Sequence, residues 1–382
     1  MDMTLFKQHL LSIVLLFAVT SSWATPIPTP KPPSINAKSY ILIDHNTHHI
    51  IAQQNADERN DPASITKLMT AYIVYQALAQ DSINLADEVV VSEKAWRAPG
   101  SRMFIEVGKQ VSVENLLQGL IVQSGNDASI ALAEYIAGSE AAFVDLMNTQ
   151  ASALGLDDTH FVNVTGLTDP QHYTTARDIA LLSSAIISNF PEQYKRYSVK
   201  QFTFNNITQQ NRNKLLWRDP SVDGLKTGHT EAAQYCLAAS AQRSGMRLIS
   251  VVLGAPSSNA RATQSQSLLN YGFRFFATHT LYDQPHALIE KRVWYGAEKI
   301  LQLGVAQPIH VTVARGQYKN IKPYLEIKTK LVAPIEKGQV LGKVIVKLAD
   351  SSLAEVDLIA LESIQEGSLM RKLSDYVMGY FE

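Results

Sequence analysis

Residues 61–70 read DPASITKLMT, and this stretch decides how the surrounding chain folds and which chemistry it carries. The aspartate–proline pair predicts the start of a helix, because these residue types suit positions whose backbone N–H groups have no helical partner. Apolar residues recur at helical spacing from Leu68 onward, so we expect one face to be buried. Ser64 and Lys67 are three residues apart and therefore share a face at the front of this helix.

The Ser64–Lys67 pair has two interpretations. A neutral lysine amine at this spacing takes the proton of the serine hydroxyl, which makes the serine a nucleophile. In the alternative, the serine caps the helix and the lysine is solvated. A Ser-x-x-Lys pattern alone does not distinguish the two, so the rest of the chain has to decide.

Length and composition limit the functions that are possible for this chain. The 382 residues predict two domains with appended segments, and 46% hydrophobic with 18% charged residues is typical of a globular protein with an ample core. The formal net charge of −1 gives no electrostatic reason to expect nucleic acid as a partner. The single cysteine, Cys236, excludes a disulfide framework and a multi-cysteine zinc site, and we expect no metal or cofactor.

Residues 1–24 predict a signal peptide. Lys7 gives a weakly positive start, residues 10–19 are almost wholly apolar, and residues 22–24, SWA, place small residues where signal peptidase reads them. An apolar run of about ten residues is too short for a lasting membrane span, although an uncleaved anchor is the alternative. We therefore predict an exported, periplasmic protein whose residues 25–36 form an extended proline-rich tether.

The order of predicted elements divides the rest of the chain in two. Over residues 37–287, strands precede a block of helices, and further strands and a closing helix follow. This order predicts an α+β domain with an antiparallel sheet flanked by helices. Over residues 288–366, short strands separated by glycine and proline turns predict a small all-β domain.

The last stretch, residues 367–382, predicts an amphipathic helix. A helix of this kind can lie in a membrane interface, and packing on the β domain is the alternative. Its predicted apolar face consists of Leu369, Leu373, Tyr376, Val377, Tyr380 and Phe381.

A second motif, SGN at residues 124–126, falls in a turn between two predicted helices. From this turn, Ser124 presents a hydroxyl that can relay a proton to a leaving amine. Asn126 presents an amide that can hold a substrate amide or orient Lys67. Alone the motif is a weak signal, because such a tripeptide is more often simply a turn.

A third motif, KTG at residues 226–228, lies at the edge of a predicted strand. Lys226 supplies a positive charge, Thr227 a hydroxyl for a carboxylate, and Gly228 space for close approach of a substrate. The three motifs occur in the order known for serine penicillin-recognising enzymes and in the expected elements, which favours the catalytic interpretation of the first.

On these motifs the chain resembles the D-alanyl-D-alanine carboxypeptidases among the low-molecular-mass penicillin-binding proteins, serine peptidase family S11, of the five/six type. Residues 123–128 (QSGNDA), 223–230 (DGLKTGHT) and 247–255 (RLISVVLGA) look like sequences of that family. Thr165 departs from the pattern, since some relatives carry histidine there. The resemblance extends from about residue 35 to the C-terminus and implies a penicillin-recognising transpeptidase/β-lactamase-like fold.

The resemblance also implies a mechanism that removes the terminal D-alanine from peptidoglycan pentapeptides. Lys67, neutral through burial and neighbouring positive charge, deprotonates Ser64, which attacks the carbonyl between two D-alanines. Backbone N–H groups of Ser64 and His229 form the oxyanion hole. The side chains expected to receive the substrate carboxylate are Lys226, Thr227 and either Arg261 or Arg212.

The resemblance further implies that β-lactams act as covalent inhibitors and that the protein attaches peripherally to the outer face of the inner membrane. A β-lactamase is one alternative function, but Glu134, Glu140 and Glu192 all lack the asparagine four residues later that a class A enzyme needs. A non-catalytic peptidoglycan-binding envelope protein is the other alternative. The presence of the serine and both motif lysines argues against it.

Overall fold

The structure is a computed structural model that describes residues 29–282, 286–328 and 330–379. The predicted signal peptide, the start of the tether at residues 25–28, and Tyr380 and Phe381 lie outside the described residues. Within these bounds the chain forms an α+β domain followed by a smaller all-β domain, which confirms the predicted fold class.

The N-terminal domain combines nine strands with nine helices in the described residues. The strands are β1 (Ser39–Asp44), β2 (Ile50–Gln54), β3 (Glu88–Val90), β4 (Gln110–Ser112), β5 (Gln201–Phe204), β6 (Ile207–Gln210), β7 (Val222–Thr230), β8 (Gln234–Arg243) and β9 (Met246–Ala255). The helices are α1 (Lys67–Ala79), α2 (Glu93–Trp96), α3 (Val113–Gln118), α4 (Asn126–Ala137), α5 (Glu140–Ala153), α6 (Ala176–Asn189), α7 (Pro191–Tyr194), α8 (Leu215–Arg218) and α9 (Ser258–Phe275).

A five-stranded antiparallel sheet lies at the centre of this domain, in the order β2–β1–β9–β8–β7. Its central strands are apolar on both sides, so helices cover both faces. Ile41 and Ile249 face the core built around α1, α4 and α6, whereas Leu42 and Leu248 face the core beneath α9. Strand β7 is at the edge of the sheet, and it borders the turn that precedes α1.

Helix α1 is entered through a single 3-10 turn, Ala63–Thr66. The Asp61 carboxylate accepts a hydrogen bond of 2.8 Å from the Ala63 N–H, as expected for an aspartate at a helix start. The sequence predicts one buried face for α1, but the structure buries almost its whole length from Lys67 to Tyr75. The reason is that α4, α5 and α6 pack around it, so little of the helix meets solvent.

The C-terminal domain is built from strands β10 (Phe276–Tyr282), β11 (His286–Trp294), β12 (Ile300–Val305), β13 (Ile309–Ala314), β14 (Ile321–Ile327), β15 (Leu331–Val332), β16 (Val340–Leu348) and β17 (Ser351–Ala360). Six of them form a sheet in the order β14–β16–β17–β12–β11–β15, and β10 pairs with β13. Helix α10, Leu369–Met378, follows. No helix in the described part of the chain is both long and apolar enough to cross a membrane.

The two domains are joined without a linker, because α9 ends at Phe275 and β10 begins at the next residue. Strand β10 therefore joins the β structure ahead of residue 288, where the sequence predicts the all-β domain to start. Side chains also connect the domains. The Thr47 and Thr312 hydroxyls are 2.8 Å apart, and the Thr278 hydroxyl donates to the Asp44 carboxylate.

A close approach of two backbones fixes the turn before α1. Gly166 has a φ of +84°, and a Cβ atom added there would lie 1.8 Å from the carbonyl oxygen of Ala63. Gly155 has a comparable φ of +68°, but a Cβ atom there would meet nothing within 4 Å. A side chain at position 155 therefore meets only backbone strain, whereas one at position 166 meets backbone strain and a steric clash.

We predict that Gly155→Ala lowers the free energy of unfolding of the N-terminal domain by roughly 1–2 kcal/mol, the strain of a left-handed alanine. Gly166→Ala should lower it by clearly more, about 3 kcal/mol or above, because the steric clash adds to the same strain. Urea denaturation of the two variants tests this comparison. Equal losses would show that the contact with Ala63 is unimportant.

Candidate active site

The structure brings the amine of Lys67 into contact with the nucleophile predicted from the sequence. Lys67 Nζ lies 3.0 Å from Ser64 Oγ, 2.7 Å from the Asn126 side-chain oxygen and 2.6 Å from the Thr165 carbonyl oxygen. Lys67 is completely buried, and burial, helped by the positive charge of Arg212, lowers its pKa to about 7.

These contacts fix the orientation of the amine once it is neutral. A neutral amine has two hydrogens and one lone pair. The oxygens of Asn126 and Thr165 can only accept hydrogen bonds from it, so they take the two hydrogens. The lone pair is then directed at Ser64 Oγ, which is the geometry that a base needs in order to remove the serine proton.

The second and third motifs also meet in space. Ser124 has a left-handed backbone conformation between the π-helical turn Gly119–Gln123 and α4, which projects its hydroxyl towards β7. Lys226 Nζ donates to Ser124 Oγ at 2.8 Å and to the Thr227 carbonyl oxygen at 3.1 Å. Burial lowers the pKa of Lys226 well below its ordinary value, and the nearby charges of Lys67 and two arginines act in the same direction.

Asn126 is the first residue of α4, and its side chain connects Lys67 with the loop that contains Pro99. Its amide nitrogen donates to the Pro99 carbonyl oxygen at 2.6 Å, while its oxygen accepts from Lys67. The next residue, Asp127, was not predicted as part of the site. Its buried carboxylate accepts hydrogen bonds from the backbone N–H groups of residues 103–105 and so holds this segment against α4.

Residues of all three motifs line a cleft of about 400 Å³, whereas Lys67, Asn126 and Lys226 are buried and are not part of its lining. Residues predicted for the site that face this cleft are Ser64, Ser124, Arg212, Thr227, Gly228, His229 and Arg261. A Cβ atom at position 228 would lie 2.9 Å from the Pro62 carbonyl oxygen, so the strand passes directly against the turn before α1. The His229 ring packs on the Tyr235 ring with centroids 4.1 Å apart.

The two predicted arginines differ in their surroundings. Arg261 is 5% exposed, and its guanidinium donates to the carbonyl oxygens of Gly228 and Cys236 at 2.8 and 3.3 Å. It therefore connects β7 to β8 as well as facing the cleft. Arg212 is exposed at the rim, and partial burial of its guanidinium lowers its pKa.

A buried histidine, His172, supports the turn before α1, although no pattern in the sequence indicates this role. His172 Nδ1 accepts a hydrogen bond from the Val162 N–H at 3.0 Å, so the neutral ring carries its proton on Nε2. Nε2 lies 2.7 Å from the Thr66 hydroxyl, which in turn donates to the Ala63 carbonyl oxygen at 2.8 Å. Burial lowers the pKa of His172 to about 4, so the ring is neutral around pH 7.

An antiparallel sheet, with a serine beside a buried lysine and an edge strand that carries Lys-Thr-Gly, defines the class of penicillin-recognising serine enzymes. Comparison of the sequence with models of protein families identifies one family within this class. Residues 27–257 match the D-alanyl-D-alanine carboxypeptidase family, and residues 276–366 match the C-terminal domain of penicillin-binding protein 5. The chain therefore belongs to the D-alanyl-D-alanine carboxypeptidase family.

Individual relatives agree with this membership. The D-alanyl-D-alanine carboxypeptidase DacC of Escherichia coli (strain K12) is 45% identical over 378 residues, which cover 97% of this chain and 94% of the relative. Penicillin binding protein 5 from Haemophilus influenzae matches with a TM-score of 0.85 and 43% identity over 88% of this chain and 100% of that one. Penicillin-Binding Protein D2 from Listeria monocytogenes, in its ampicillin-bound form, has a TM-score of 0.59 and 30% identity, covering 64% of this chain and 100% of that one.

We predict that Arg212→Gln shifts the acid limb of acylation to higher pH. The charge of Arg212 lowers the pKa of Lys67, so its removal raises that pKa, and the neutral amine then forms only at higher pH. A shift of about half a pH unit corresponds to about 0.7 kcal/mol. The measurement is the rate of acylation by a labelled penicillin between pH 5 and pH 9.

The matched control is Lys200→Gln, which removes an exposed positive charge that does not act on Lys67. Its acid limb should coincide with that of the unmodified protein. An unchanged limb in the Arg212 variant would exclude the proposed electrostatic effect on the base.

Proposed function

We propose that this chain is a serine D-alanyl-D-alanine carboxypeptidase that removes the terminal D-alanine from peptidoglycan pentapeptides through an acyl-enzyme on Ser64. The observation that carries the proposal is the contact of 3.0 Å between Ser64 Oγ and the buried Lys67 amine, whose pKa is lowered to about 7. A lysine in this state is a base at neutral pH, and the serine beside it is an activated nucleophile.

In the acylation step, Lys67 takes the proton of Ser64, and Ser64 Oγ attacks the carbonyl carbon between the last two D-alanines. The backbone N–H groups of Ser64 and His229 hold the oxyanion that forms. The peptide C–N bond then breaks, and Ser124, hydrogen-bonded to Lys226, relays a proton to the departing amine. Water subsequently hydrolyses the ester and regenerates the free serine.

Positive charge around the cleft selects a substrate that ends in a carboxylate. Thr227 offers its hydroxyl, and the buried amine of Lys226 lies next to it, hydrogen-bonded to Ser124. Arg212 and Arg261 face the same space from the other wall, and a guanidinium can hold a carboxylate through two hydrogen bonds. The free terminal carboxylate of D-alanine fits this arrangement.

The same nucleophile accounts for acylation by β-lactams, which we propose as covalent inhibitors. Among the described residues, those lining the cleft include no glutamate or aspartate that could activate water. The neighbouring Asp127 carboxylate is occupied by backbone N–H groups. These observations support slow hydrolysis of the penicilloyl ester and argue against the alternative function, a β-lactamase.

We predict that Ser64→Ala reduces release of D-alanine from a pentapeptide ending in two D-alanines by at least about 10³-fold, because the nucleophile is lost. The variant should also lose covalent labelling by penicillin, and peptide mapping of the unmodified protein should place the label on Ser64. An unchanged midpoint of thermal unfolding is the control for folding.

Equal release of D-alanine by both proteins would contradict the carboxypeptidase function and favour a non-catalytic envelope protein. Hydrolysis of nitrocefin distinguishes a carboxypeptidase from the remaining alternative, a β-lactamase. We expect one equivalent of hydrolysed product followed by a plateau, whereas many turnovers per second would indicate a β-lactamase.

We further propose that residues 1–24 direct export and that α10 attaches the protein to the outer face of the inner membrane. Asp375 on α10 is buried, and its carboxylate accepts hydrogen bonds from the Tyr295 N–H at 2.7 Å and from Arg292 at 3.1 Å. The polar side of α10 thus contacts the β domain. Leu369 and Leu373 on its other side are 87% and 66% exposed, which suits a membrane interface.

We predict that Leu369→Glu combined with Leu373→Glu weakens binding to phosphatidylethanolamine–phosphatidylglycerol vesicles by more than tenfold. Burial of each leucine side chain contributes about 1.5–3 kcal/mol, so losing both exceeds a factor of ten. Vesicle sedimentation measures the loss. The control is Leu146→Glu, which changes an exposed leucine on α5. Equal binding by the double variant and the control would exclude attachment through α10.

A further inference from the structure

A second cavity of about 640 Å³ adjoins the catalytic cleft. Arg212, His229 and Arg261 line both spaces and form the shared wall. Lys214, Trp217 and Arg218, which lie on α8 or directly before it, also line this space. We call this second cavity the annex.

The annex is positively charged. Lys214 and Arg218 add two cations to those of the shared wall, and no acidic residue lines the cavity in the part of the chain that the structure describes. Arg218 is held by neutral partners, since its guanidinium donates to the Thr263 hydroxyl and to the Asn259 side-chain oxygen. Its charge is therefore fixed in place and not neutralised, which makes the annex attractive to an anion.

The annex also has an apolar component and more space than the proposed leaving group requires. Trp217 is 47% exposed and lines the cavity together with Tyr235. Cavities of roughly 300–1,000 Å³ hold drug-sized ligands, whereas the leaving group of a carboxypeptidase is a single alanine. Aromatic walls with cations beyond them suit a methylene chain that ends in an acidic group.

We propose that the annex binds the acidic side chain of a longer residue on the C-terminal side of the scissile bond. This proposal rests on the proposed function, because the terminal carboxylate must lie on the shared wall for a side chain to extend past it. The chemistry is unchanged: the same peptide C–N bond breaks, water adds across it, and the leaving group is an acidic D-amino acid instead of D-alanine. The protein then also hydrolyses bonds that join D-alanine to such residues.

The experiment compares three peptides that share an acyl-D-alanyl portion and end in D-alanine, D-2-aminoadipate or the neutral side-chain amide of D-2-aminoadipate. We expect kcat/KM for the acidic residue to exceed that for its neutral amide by at least tenfold. In Arg218→Gln this ratio should fall to below threefold, while hydrolysis of the D-alanine peptide stays within twofold of the unmodified protein. Arg274→Gln, which removes an exposed arginine outside the annex, should retain the full ratio.

Trp217→Ala separates the two components of the annex. It should lower kcat/KM for the acidic and amide peptides by the same factor, because both place methylene groups against the ring. A ratio near one in the unmodified protein, or a full ratio in Arg218→Gln, would overturn the proposal. Failure of the unmodified protein to hydrolyse even the D-alanine peptide would instead overturn the proposed carboxypeptidase function.

Discussion

The chemistry that we propose depends on the burial of one lysine amine, that of Lys67. An ammonium ion taken out of water costs several kcal/mol unless an anion compensates it. The surroundings of Lys67 instead contribute neutral oxygens and the positive charge of Arg212, so the amine loses its proton near neutral pH. The nearest acid, Asp127, counteracts this only in part, because backbone N–H groups already share its charge. Packing of α4, α5 and α6 around α1 keeps water out and so maintains this state.

The same excess of positive charge underlies the proposed binding of the substrate carboxylate. Arg212 and Arg261 line one small cleft that has no acidic residue among its described lining, and the buried amine of Lys226 contacts it through Ser124. Each positive charge lowers the pKa of the lysines beside it, and each also attracts an anion to the cleft. The lowered pKa of Lys67 and the proposed preference for a carboxylate thus have the same electrostatic cause, and the cations of the annex continue the positive surface beyond the cleft.

The motifs could be placed from the sequence because each one is local. Helix spacing put Ser64 beside Lys67, and the turn and strand patterns put the other motifs at element ends. The remaining contacts are not local. Thr165 acts through its carbonyl oxygen, which every residue possesses, and it is 98 positions from Lys67. His172 is 106 positions from Thr66, and no spacing rule connects them. The all-round burial of α1 was also missed, because apolar residues on several faces weaken a helical period.

The direct passage from α9 into β10 has a mechanical consequence. Because α9 continues directly into β10, no flexible linker separates the two domains. Hydrogen bonds from Asp44 and Thr47 to the β domain also stabilise the junction. The β domain is therefore a stiff extension of the catalytic domain, and α10 packs on this extension through Asp375. Under the proposed attachment of α10 to a membrane, this stiffness would hold the cleft at one height above the bilayer, and only wall peptides at that height would reach Ser64.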